Sequence, residues 1–138
     1  MKRIILLALS ILLLCGSSQA QMRQSIKRSS LPKSAVKYMQ KNWNNVSPTK
    51  IVKISEGIDV NYEVTLVDNT VIYFNRDGNW QSVSAEKEIV KTAIPAGIRN
   101  YVSSNAKGKK IVHMYKEENG YAVELDNGKT LHFDAQGR

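Results

Sequence analysis

Tyr62-Glu63-Val64-Thr65-Leu66 and Tyr121-Ala122-Val123-Glu124-Leu125 carry one pattern twice, and that repetition decides how the rest of the chain is read. In each copy Tyr, Val and Leu fall on one side of an extended strand, while Glu63 and Thr65, or Ala122 and Glu124, face the other. One packed side and one wet side is the signature of an antiparallel sheet covered on a single face. Asp126-Asn127-Gly128 has the chemistry of a three-residue hairpin, a type I turn followed by a glycine at positive φ. That loop sets Val123 opposite Leu131 and Tyr121 opposite Phe133, all on one face, whereas a two-residue Asn-Gly turn would set Leu131 against Glu124. In the first copy Ile72-Tyr73-Phe74 answers Leu131-His132-Phe133, and Asn69 takes the glycine position.

The match continues outward in both directions. Leu31-Pro32-Lys33-Ser34-Ala35-Val36-Lys37-Tyr38-Met39 aligns with Ile94-Pro95-Ala96-Gly97-Ile98-Arg99-Asn100-Tyr101-Val102, and Ile51-Val52-Lys53-Ile54 with Ile111-Val112-His113-Met114. Leu31, Ala35, Tyr38 and Met39 recur at helical one-face spacing, as do Ile94, Ile98, Tyr101 and Val102, and these stripes are read as core. Ser30 is the expected N-cap of the first helix, Pro32 falls in its first turn, and Trp43 closes the end of the core. Gly78 answers Gly137. After Asn75-Arg76-Asp77-Gly78-Asn79 the first copy continues into a short fourth strand, Trp80-Gln81-Ser82-Val83, while the second stops at Arg138, just past its matching turn.

The expected architecture is therefore α+β: two tandem helix-plus-antiparallel-strand repeats, about seven strands, with the helices on one face of the sheet. The first repeat spans 31–84, a linker containing Glu86-Lys87-Glu88 covers 85–92, and the second repeat, lacking a fourth strand, covers 93–138. Residues 21–30, rich in Gln, Ser, Lys and Arg, read as a flexible lead.

Residues 1–20 have the order of a secretory signal peptide: Lys2 and Arg3, an apolar run from Ile4 to Cys15, then small and polar residues ending in Ser18-Gln19-Ala20. The run is twelve residues long, short of the roughly 20 a membrane-crossing helix needs. Cleavage before Gln21 would release the chain to the periplasm or the outside, with no transmembrane segment in the mature protein. Lipidation at Cys15 is the competing outcome, and Leu14 disfavours it where a lipoprotein signal wants a small residue. Cleavage also removes the single cysteine, so disulfides and thiol chemistry leave with it. Two of the 20 basic residues are lost as well, leaving 18 against 12 acidic and a net charge of +6 in place of +8. Such a balance suits an anionic envelope polymer or an acidic partner, while no nucleic-acid-binding motif accompanies it.

No nucleophile elbow, metalloprotease helix, phosphate-binding loop or calcium loop is present. His113, His132 and Glu124 share the wet face, but their counterparts by the alignment, Lys53, Tyr73 and Thr65, could not form a metal site, and strands two apart lie roughly 9–10 Å from each other. Neither a metal nor a cofactor is expected. Glu117 and Glu118 sit in a hairpin loop without a pocket, and Lys107-Gly108-Lys109-Lys110 reads as a solvated basic loop. The wet face itself is the better candidate: Lys53, Tyr73, His113, Tyr115 and His132 would line it, with Trp80 at one edge, a basic and aromatic mix typical of protein-binding surfaces.

Leu-Pro with a tyrosine six residues after the proline, the Tyr-x-Val-x-Leu strand, the acidic or Asn turn, the apolar-x-Phe strand and Gly-x-Trp together resemble the PepSY-like family of small exported Bacteroidetes-type proteins. The resemblance covers nearly all of 31–138, with two departures: Asn69 where the family often has glycine, and a second copy without the Gly-x-Trp strand, which leaves the last strand edge open. It implies a fold like that of beta-lactamase inhibitor proteins and a non-enzymatic binding module of the envelope, one that binds, inhibits or regulates another envelope or extracellular protein. The alternative is a binder of a small molecule or anionic envelope polymer.

Overall fold

The computed structural model describes residues 20–138; the signal peptide read over 1–20, with the lipidation alternative at Cys15, lies essentially outside the described residues. The strands are β1 (Met22–Ser25), β2 (Pro48–Glu56), β3 (Asp59–Leu66), β4 (Val71–Asn75), β5 (Trp80–Ser84), β6 (Ile111–Glu117), β7 (Gly120–Leu125) and β8 (Thr130–Asp134). Helix α1 (Lys33–Asn42) precedes β2, and α2 (Ala96–Asn105) precedes β6. Short turns reverse the chain at most strand ends, so all eight strands pair antiparallel in sequence order within one sheet.

The two hairpins that fix the register are built alike. Asn69 stands at φ 67° and Gly128 at φ 85°, and the flanking strands close by Leu66 N–H to Thr70 O and by Leu125 N–H to Lys129 O. Tyr121 consequently faces Phe133 and Val123 faces Leu131, as the alternation demands. Asp68 and Asn127 each accept, through a side-chain oxygen, the N–H two residues on.

Ile51, Val64, Ile72, Val83, Met114, Val123 and Leu131 form one row of cross-strand neighbours over seven strands. Both helices lie on this face, with Ala35, Met39, Ile98 and Val102 in the same buried cluster. Each buried aliphatic side chain contributes about 1.5–3 kcal/mol by leaving water, so this layer is the main source of stability. The turns after β4 and β8 dock on the helix starts: a Cβ on Gly78 would stand 2.7 Å from Pro32 Cβ, and one on Gly97 2.6 Å from Gly137 O. Trp43 is 4% exposed and closes the core beyond α1, as expected.

Five expectations are corrected. The lead is not free: residues 22–25 form β1 along the outer edge of β2, giving eight strands in place of seven. Its side chains are all exposed, so no alternation announces it; the open backbone groups of β2 recruit it. Ser30 does not cap α1. It ends a 3-10 turn, and the chain passes into the helix through Pro32 without a side-chain cap. The linker is partly core, since Ile89 is 1% exposed and its N–H bonds Ile111 O. Tyr101 is 46% exposed, because among the described residues no strand beyond β8 covers it as β5 covers Tyr38. Finally, the alignment of β2 with β6 shifts: a bulge sits at Thr49 in β2 but at Val112 in β6, so Ile51 corresponds to Met114 and Lys53 to Lys116.

Candidate functional site

The face opposite the helices is bare among the described residues. Its central row runs Val52, Glu63, Tyr73, Ser82, Tyr115, Ala122, His132, one residue from each strand β2 to β8. Val52, Ile54 and Ala122 are buried yet stand apart from the helix-side cluster, shielded only by their neighbours on this face. Tyr73 and Tyr115 flank the small Ser82 on the neighbouring strands.

Polar contacts order the row. Tyr73 donates its hydroxyl hydrogen to Glu63, and Arg23 of β1 meets the same carboxylate at 3.2 Å. Burial pushes the Glu63 carboxyl up, but the hydrogen bonds from Tyr73 and Arg23, with the charges of Arg23 and Lys50, outweigh it and leave the group below its ordinary value. The bond to Glu63, with burial, pushes the Tyr73 hydroxyl up. On the far side His132 Nδ1 lies 3.0 Å from Glu117, crossing β7 above Gly120 and Ala122. His113 stacks obliquely on Tyr115 with ring centroids 5.2 Å apart, and its Nδ1 is 3.9 Å from Glu124. Among the described residues no group of three or more His, Cys, Asp or Glu side chains is placed to hold a metal.

Four of the six residues read as lining this face, Tyr73, His113, Tyr115 and His132, are on it. Lys53 and Trp80 are corrections. Lys53 pairs with Tyr62, which pairs with Phe74, so it belongs to the helix side. Trp80 moves for a local reason: Tyr73 pairs with Ser82 but Phe74 with Trp80, and the extra residue, Gln81, turns the indole to the helix side. There it is sandwiched between Tyr38 and Tyr121, at 6.3 and 5.9 Å, with the Lys116 ammonium 4.6 Å from its ring centroid. Arg23 is the contributor that sequence reading missed, because β1 carries no apolar alternation.

Two helix-plus-meander units fused edge to edge, with a sheet face of polar and aromatic side chains left bare among the described residues, define a small tandem-repeat sheet protein. The chain belongs to the PepSY-like family: the profile described as "Putative beta-lactamase-inhibitor-like, PepSY-like" matches it over residues 20–70 and again over 60–138. Solved structures share the fold. One, described as a putative calcium-regulated periplasmic protein from Bacteroides thetaiotaomicron, superposes with a TM-score of 0.79 at 23% identity, over 84% of this chain and 92% of its own. Two described as putative periplasmic proteins from Bacteroides vulgatus give TM-scores of 0.76, at 22% and 26% identity, over 83% and 86% of this chain and 91% and 94% of theirs. No curated protein matches the sequence significantly. Among the described residues no helix is long and apolar enough to cross a membrane.

Proposed function

We propose that this protein is exported, works without catalysing a reaction, and holds another envelope or extracellular protein against the bare face of its sheet, inhibiting or regulating it. The observation that carries this reading is the central row, in which half-buried Tyr73 and Tyr115 stand on either side of Ser82 on a face that no described element covers. Tyrosines presented by a rigid sheet supply contact area at low entropic cost, and the short side chain of Ser82 between them does not obstruct a partner side chain. The periplasmic description of its structural relatives and the signal-peptide pattern of its first twenty residues support export, and the inhibitor-like description of the family supports binding.

Recovery of envelope proteins by the immobilised wild type and by the Tyr73→Ala plus Tyr115→Ala double variant tests the reading. A partner held on this face is recovered by the wild type and lost with the double variant, which leaves the helix-side core intact. Equal recovery of every protein by both would refute the assignment.

A further inference from the structure

The two repeats differ at one spot where their backbones agree. Trp43 follows the last residue of α1 at φ −135°, ψ 49°, with its N–H bonded to Met39 O. Ala106 follows α2 at φ −139°, ψ 53°, with its N–H bonded to Val102 O. The two Cβ atoms therefore leave equivalent backbones in equivalent directions. In the first repeat the indole fills the space beyond the helix, 4% exposed and edge-on to Tyr38 at 5.6 Å. In the second repeat a methyl group stands there, and a cleft of about 450 Å³ opens between α2, the 3-10 turn at Lys91–Ala93 and the start of β6. This is within the range of roughly 300–1,000 Å³ typical of small-molecule sites.

The lining is amphipathic. Ala106, with the small exposed edges of Val102 and Ile111 (6% and 5%), gives it a narrow apolar floor, while Lys91, Arg99, Lys109 and Lys110 stand at its rim with a single carboxylate, Glu88. None of the four cations is ion-paired among the described residues. Arg99 Nε donates to Ile94 O at 3.1 Å, which fixes the guanidinium against the cleft. An unneutralised cationic rim above an apolar floor complements a ligand with an anionic head and an apolar body.

We infer that this cleft is a binding site for a small amphipathic carboxylate, a fatty-acid anion, separate from the bare sheet face. The carboxylate meets Arg99 and the lysines, and the hydrocarbon lies against Ala106 and the exposed edges of Val102 and Ile111, where the first repeat keeps its own tryptophan.

Decanoate is the probe, with decanol as its uncharged counterpart, titrated into the protein and followed by nitrogen–proton NMR. The expected result is saturable decanoate binding centred on Ala106 and Ile111, with decanol at least tenfold weaker. Ala106→Trp plugs the cleft with the residue the other repeat uses and weakens decanoate at least tenfold; Lys109→Glu plus Lys110→Glu does the same without touching the packed floor, should the tryptophan variant not fold. No saturable binding to wild type, equal affinity for decanol, or undiminished binding in the variants would overturn the inference. So would co-sedimentation with phosphatidylglycerol vesicles that Ala106→Trp leaves unchanged in a protein indifferent to decanoate, since the cations would then serve a lipid surface and not a site.

Discussion

Trp80, in the last strand of the first repeat, lies flat against Tyr121 of the second, with ring centroids 5.9 Å apart and planes inclined by 20°. The stack spans the β5–β6 seam, which pairs only three residues: Ser82 with Tyr115, Val83 with Met114 and Ser84 with His113. Side-chain stacking thus supplements a short ladder where the two repeats join. Removing the half-buried indole by Trp80→Ala should cost about 2 kcal/mol, from lost area and lost stacking. Urea unfolding followed by circular dichroism measures the loss, and the variant should still bind any partner of the bare face, which Trp80 does not touch.

Tyr38 carries a buried hydroxyl with no hydrogen-bond partner among the described residues, and burial pushes its ionisation well above the usual tyrosine range. Tyr38→Phe removes an unsatisfied polar atom while keeping the ring between Trp43, Phe74 and Trp80. It should raise stability by about 1 kcal/mol, read as a higher urea midpoint at unchanged slope.

Gly128 and Gly78 both stand at φ +85°, but only Gly78 faces a crowded surface. Gly128→Ala should cost about 1 kcal/mol, the strain of the left-handed conformation alone. Gly78→Ala should cost distinctly more, since its Cβ would meet Pro32 Cβ at 2.7 Å and Ala35 N at 2.9 Å and push α1 off the turn. Thermal denaturation of the two variants side by side checks the order.

The Glu63 carboxyl is held below its ordinary value of 4.5 by Tyr73 and Arg23 against the opposing effect of burial. A carboxyl depressed by folding adds stability that is complete above its unfolded value and disappears as pH falls through the folded value. Tyr73→Phe removes one donor, so the Glu63 titration followed by carbon-detected NMR should move up, and the variant should lose stability most at neutral pH, the difference from wild type shrinking as pH falls through the folded value.

The repeats, the helix-side core and both hairpin registers were legible because period-two and helical patterns record which side chains are buried. What escaped was set by backbone detail that leaves no pattern. The bulge residue Gln81 is an ordinary polar residue, yet it moves Trp80 from one face of the sheet to the other. Thr49 and Val112 likewise mark no irregularity in the sequence, and their bulges displace Lys53 from the row that holds His113 and Tyr115. Strand β1 was invisible because its place depends on the hydrogen-bonding edge of β2, not on apolar side chains of its own. The cleft at Ala106 shows only once the equivalence with Trp43 is established by backbone angles.

A photo-crosslinking residue placed at Ser82, between Tyr73 and Tyr115, tests the central claim most directly when compared with the same residue at exposed Lys37 on α1. Irradiation of cells exporting each variant should give a discrete higher-mass adduct from position 82 and none from position 37. No adduct from 82, or the same adducts from both positions, would contradict the claim that the bare sheet face holds the partner.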